Sequence, residues 1–125
     1  MISVFVYGTL LVGESNHDVV APHLLEVEAG AVLGELYDCG SYPAVVIGGG
    51  SHVVRGEWLT VTEEGLSAMD VLEEYYGPGA DNDYERVWVH DVFTKREGWI
   101  YVWLEPRGND RIKEGSWRAY NKKES

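Results

Sequence analysis

Apolar positions along this chain come in brief runs, not long stretches. Residues 2–7, 31–37, 44–47, 53–61, 85–93 and 99–104 are short, rich in β-branched and aromatic side chains, and bounded by turn residues, so each predicts a strand. Within residues 85–93 the pattern alternates, with Val87, Val89 and Asp91 opposite Trp88, His90 and Val92. Two segments break the rhythm and predict helices, residues 16–25 and 63–76. The second opens after Thr62, a good N-cap residue, with Glu63 and Glu64 in the first turn where the helix dipole favours acids. Gly77-Pro78-Gly79 is its expected stop. Six short strands with glycine-marked turns predict an α+β protein built on a highly curved sheet or small barrel.

The second helix carries the most informative side chain. At ~100° per residue, with Leu66 at zero, Met69 falls at ~300° and Glu73 at ~340°, which puts Glu73 inside the apolar stripe. Glu74 falls at ~80°, on the wet face, and Asp70 at ~40°, on the border. An acid in a core-facing stripe needs a reason, because carboxylates are rarely buried without a partner. Glu73 could bond a backbone N–H or Arg86, or it could be a general acid/base whose pKa burial has raised. A second signal lies in Tyr7-Gly8-Thr9-Leu10, where an apolar strand runs straight into a glycine, with Gly13 soon after. Such a turn can be a plain strand end, or its backbone N–H groups can cradle a carboxylate or oxyanion. No Gly-Lys-Ser/Thr follows, so it is not a phosphate loop.

Composition narrows the classes. The 125 residues suit one domain, expected over residues 1–120, with a frayed polar tail at residues 121–125. Twenty-one acids against ten bases give a net charge of −11, which repels phosphate backbones and anionic membranes. Nucleic-acid and membrane partners are therefore not expected. The first residues have no basic region and meet Gly8 early, unlike a signal peptide or membrane span, so a soluble cytoplasmic protein is expected. The lone Cys39 excludes an internal disulfide and reads as a packed residue. His17, His23, His52 and His90 lack metal-site spacing, so no metal is expected. Residues 79–83 are acidic but lack the EF-hand pattern, and read as a solvated turn. Gly48-Gly49-Gly50-Ser51 reads as a turn between two runs.

Taken in order, Tyr7-Gly8-Thr9-Leu10, Gly34-x-Leu36-Tyr37, Tyr42-Pro43-Ala44, Val54-x-Gly56-Glu57, Met69-Asp70-x-Leu72-Glu73, Tyr84-x-Arg86 and Gly115-x-Trp117 resemble the γ-glutamylcyclotransferase-like (AIG2-like) family. The resemblance runs from Val4 to Trp117. It implies a small mixed β-barrel with flanking helices. It also implies that Tyr7, Gly8, Thr9 and Leu10 bind the substrate's γ-glutamyl group and that Glu73 is the catalytic carboxylate. Tyr84 and Arg86 are secondary candidates, as substrate contacts or as support for the helix. The chain departs from the family pattern in having Met69-Asp70 where Leu-Asp is frequent. The stretch 75–83 is also long, which makes the cover of the pocket individual to this protein.

Such an enzyme cyclises a γ-glutamyl amine or peptide to 5-oxoproline and releases the amine. The nucleophile is the substrate's own α-amine, so the protein folds the substrate and moves protons, and no metal or organic cofactor is needed. A free glutamate near 4.3 facing an ammonium near 8 is mismatched by roughly 3.7 units, about 5 kcal/mol. Raising the carboxyl by burial closes much of that gap, which favours Glu73 over Glu74. Two alternatives make different demands. A non-catalytic binder of small amino-acid-like anions would not need a titrating Glu73, and a carboxylate-based hydrolase would release free glutamate.

Overall fold

The computed structural model describes residues 1–124 except Gly49 and Ser51, with backbone alone for residues 122–124. The expected turn at residues 48–51 therefore lies partly outside the described residues. In chain order the elements are β1 (Ile2–Val6), α1 (His17–Val20), a 3₁₀ turn (Ala21–His23), β2 (Leu24–Leu33), β3 (Glu35–Asp38), β4 (Pro43–Val46), β5 (Val53–Val61), α2 (Glu63–Leu72), β6 (Glu85–His90), β7 (Glu97–Val102), β8 (Asp110–Arg111) and α3 (Trp117–Glu124). A five-stranded sheet has the order β2-β5-β1-β7-β6, and a three-stranded sheet the order β4-β3-β8. β1 and β7 run parallel, and the other neighbours in the larger sheet are antiparallel. Among the described residues a parallel bridge, Val46 with Trp103, links the two sheets.

The α+β class is as expected, but a closed barrel does not form among the described residues. The large sheet curls until its two edges meet at one point. There Val92 N–H donates to the Ala31 carbonyl at 2.9 Å, and Ala31 N–H donates to the Asp91 carboxylate at 3.0 Å. No ladder continues between β2 and β6, so the sheet is pinned at that point and remains open.

Central β1 shows why the sequence folds this way. Its residues alternate between two cores: Val4 and Val6 pack with Leu59, Val61, Met69 and Tyr101 under α1 and α2, while Phe5 and the following Tyr7 pack with Trp58, Ile100, Leu36 and Val45. A strand buried on both faces reads as a continuous apolar run. At 25 cal/mol per Å², each such large side chain contributes roughly 1.5–3 kcal/mol. β2 is the opposite case. Its first six residues are mostly exposed, and it is held by its ladder to β5. Gly30 is bare because a Cβ there would lie 2.4 Å from the Trp58 ring.

The expected helices are shorter than the pattern suggests. Residues 16–25 give only α1 and a 3₁₀ turn containing Pro22, after which the chain enters β2. Thr62 caps α2 as expected, accepting from Gly65 N–H at 3.2 Å. The helix, however, ends at Leu72 and not at Tyr76. Glu74 has φ of 53°; its N–H donates to the Val71 carbonyl, and Tyr75 N–H donates to the Asp70 carbonyl. This is the Schellman closure, with a glutamate where glycine is usual. Glu73 therefore sits just past the helix as its C-cap, and Tyr76 beyond it is exposed. At the other end of the chain α3 carries the backbone of residues 117–124 as helix, where the sequence predicts a frayed tail from residue 121.

Candidate active site

A cavity of about 310 Å³ opens between the end of β1, the end of α2 and the loop entering β4. Tyr7, Gly8, Thr9, Leu10, Glu73 and Tyr84 all line it, so six of the seven site residues expected from sequence come together.

The glycine turn forms one wall. Gly8 packs directly on Pro43; a Cβ at Gly8 would lie 2.6 Å from Pro43 Cγ, so only glycine allows the two segments to touch. The turn is braced from behind. Leu11 N–H donates to the Gly8 carbonyl, Asn16 N–H donates to the Thr9 carbonyl, and the Asn16 side-chain amide donates to Thr9 Oγ1 at 2.9 Å. His17 Nδ1 lies 2.8 Å from the Leu10 carbonyl. None of the backbone N–H groups of Gly8, Thr9 and Leu10 is matched to an acceptor among the described residues. Leu10 itself is buried in the core, so its share in the site is its backbone.

Glu73 faces the cavity from the other side. Its N–H closes on the Met69 carbonyl, and its carbonyl accepts from Tyr84 N–H at 3.3 Å. These two bonds fix the residue between α2 and β6. Burial pushes its carboxyl up to about 7, with the nearby Asp83 carboxylate adding to the rise. Asp83 and Glu74 are on the same wall, and Asp83 N–H donates to the Glu74 carbonyl. The intervening loop is organised by Asn82, which accepts from Tyr76 N–H at 2.6 Å and donates to the Gly77 carbonyl at 2.9 Å. The acidic stretch there is thus an ordered loop.

The two tyrosines line the cavity with their rings while their hydroxyls are engaged with backbone. Tyr7 O–H donates to the Tyr101 carbonyl at 2.6 Å and accepts from Val45 N–H. Tyr84 O–H donates to the Pro43 carbonyl at 3.0 Å. Burial drives both phenols upward, so they remain protonated donors, with Tyr7 tying β4 to the end of β1 and Tyr84 tying it to the start of β6. Arg86 is the exception: it lies outside the cavity lining. Its Nη1 lies 2.6 and 2.8 Å from the Asp70 carboxylate, and its guanidinium stacks 4.8 Å from the Tyr75 ring and 4.7 Å from the Trp99 ring. Tyr101 O–H donates to the same carboxylate at 2.5 Å. Of the two expected roles, support for the helix fits this geometry; Glu73 forms no bond with Arg86 among the described residues.

Sequence reasoning missed Asn16, Asp83 and Tyr101 as parts of the site. Asn16 had no periodicity to mark it, and the other two reach the wall only through tertiary pairing. Cys39 is half-buried beside the core, where burial pushes its thiol up to about 11, as suits a packed residue.

A small α+β domain with a half-buried carboxyl on the same cavity as a glycine turn can hold an anion and move a proton. The family model for gamma-glutamyl cyclotransferase, AIG2-like, matches residues 4–119, and the chain belongs to that family. A gamma-L-glutamyl-butirosin B gamma-glutamyl cyclotransferase from Niallia circulans is 36% identical over 129 residues, covering 96% of this chain and 78% of the relative. A putative gamma-glutamylcyclotransferase from Vibrio cholerae is 35% identical over 123 residues, covering 91% of this chain and 93% of the relative. Among solved structures, an AIG2-like protein from Mus musculus shares the fold at a TM-score of 0.74 and 23% identity, covering 90% of this chain and 86% of the other. Among the described residues no helix is long and apolar enough to cross a membrane.

Proposed function

We propose that the cavity converts a γ-glutamyl amine or peptide to 5-oxoproline and the free amine, with Glu73 as the group that carries the proton. The observation that carries this reading is the Glu73 carboxyl itself, facing the cavity and raised by burial to about 7. At that value it is within ~1 unit of an α-ammonium near 8, so the transfer costs only ~1.4 kcal/mol instead of ~5. The ionised carboxylate takes a proton from the α-ammonium. The amine nitrogen then attacks the γ-carbonyl carbon, forming the ring C–N bond. The amide C–N bond breaks as Glu73 returns its proton to the departing nitrogen, the ring nitrogen sheds its second proton, which ends on the released amine as an ammonium, and atoms balance with no water consumed. The unmatched N–H groups at Gly8, Thr9 and Leu10 suit the substrate's α-carboxylate or the oxyanion formed at the γ-carbon. The relative from Niallia circulans is named for gamma-L-glutamyl-butirosin B, which supports γ-glutamyl cyclisation here.

The test is 5-oxoproline release from a γ-glutamyl amide. Glu73→Gln should lower it by about 10²–10⁴-fold with the circular-dichroism spectrum unchanged, while Glu74→Gln should retain most turnover. Equal loss in both variants, or in neither, would remove Glu73 from its role. Free glutamate as product would instead mark a hydrolase.

A further inference from the structure

The charge on the cavity wall is one-sided. Its ionisable side chains are Glu73, Glu74 and Asp83 with four tyrosines, and no lysine, arginine or histidine lines it among the described residues. At about 310 Å³ it lies at the lower end of ligand-sized pockets, so a bound γ-glutamyl group leaves its amine portion near the rim. The cation paired with this wall, through Asp83, is already committed. Arg107 lies 2.8 Å from Asp83 Oδ1, donates to the Asp83 carbonyl at 2.7 Å, and stacks 3.8 Å over the Trp103 ring. Glu74 has no such counter-ion among the described residues, and it is exposed. Glu73 is reserved for the proton.

Resting on the reading above, we infer that the departing amine carries a second, positively charged nitrogen and no carboxylate. An ammonium on that portion gains Glu74 as partner, whereas a carboxylate meets Glu74 and Asp83 with no free cation to receive it. The net charge of −11 also favours approach of a cationic substrate at low salt.

Three substrates of one protein preparation test this: the γ-glutamyl monoamides of 1,4-diaminobutane and of butylamine, and γ-glutamylalanine. The kcat/KM for 5-oxoproline release should fall in that order, spanning about tenfold, and salt should compress the span. Glu74→Gln should narrow the ratio of diamine to alanine substrate about threefold, and Glu74→Lys should narrow it further or invert it. A flat ranking, a preference for γ-glutamylalanine, or a ratio indifferent to both Glu74 variants overturns the inference while the cyclisation reading stands. Absence of 5-oxoproline from all three overturns both.

Discussion

Asp91 and Glu73 are both carboxyls that burial pushes upward, yet Glu73 finishes at about 7 and Asp91 at about 2. Donors account for the difference. Asp91 Oδ2 accepts from Ala31 N–H and Trp58 Nε1–H, and Oδ1 accepts from Phe93 and Thr94 N–H at 2.8 and 3.0 Å. Those four bonds outweigh the desolvation and keep the carboxylate ionised. Glu73 has no donor on its carboxyl among the described residues, and its neighbour Asp83 adds repulsion. One acid therefore serves as a structural pin where the sheet edges meet, and the other as a titrating group in a cavity. The same side-chain chemistry gives architecture or reactivity according to how many N–H groups point at it.

Two substitutions break this comparison most strongly. Glu73→Gln removes the proton carrier, and turnover should fall by about 10²–10⁴-fold with the melting temperature at neutral pH no lower than in the parent protein. Asp91→Ala should do the reverse. It strands buried donors at roughly 1–3 kcal/mol each, so a loss of about 3 kcal/mol and about 10 °C in Tm is expected, with turnover per folded molecule retained. Loss of activity at full stability in Asp91→Ala would show that the two acids are not divided as the geometry suggests.

The pH dependence separates them further. Glu73 binds its proton more tightly folded than unfolded, so between about pH 4.5 and 7 stability falls as pH rises. The burial penalty is complete above about 7. Glu73→Gln lacks it and should be more stable than the parent protein at pH 8, by about 1–3 kcal/mol, with the advantage gone near pH 4.5. Asp91 has the opposite sign. Its contribution is full above about pH 4 and is lost as pH falls toward 2. Urea titrations of both proteins at pH 4.5 and pH 8 check the crossover, and a constant difference at the two values would contradict it.

How far the sequence foretold this depends on where each residue takes its constraint. The two-faced burial of β1 is written in its apolar run Val4 to Tyr7, and residues 53–61 match β5, whose last four residues are all buried. The Glu63 start of α2 is visible in Thr62 and the first-turn acids. Its end is not, because a Schellman closure on Glu74 uses a residue type that gives no warning. Glu73 was legible through the helical period even though it lies one residue past the helix, since the C-cap still follows the same face. β2 was missed over residues 24–30 because a ladder, and not burial, holds it. For Arg86 the sequence leaves substrate contact and helix support open; only tertiary structure sends it to Asp70 between two aromatic rings.

The smallest expected effect tests the second cause of the Glu73 shift. Burial is the larger cause and the Asp83 carboxylate the lesser. Asp83 is also partly neutralised by Arg107 and partly open to water, both of which weaken its reach. Asp83→Asn keeps a side chain of the same size that can still accept from Arg107, and it removes only the charge. The acid limb of the kcat/KM profile, which requires ionised Glu73, should therefore move to lower pH while its plateau stays within a few-fold of the parent value. Asp91→Asn is the control: it lies at the sheet pin, so it should leave that limb in place and lower thermal stability alone. If Asp83→Asn instead shifts the limb as far as an unburied glutamate, charge and not desolvation governs Glu73, and the contrast with Asp91 would rest on neighbouring acids instead of on missing donors.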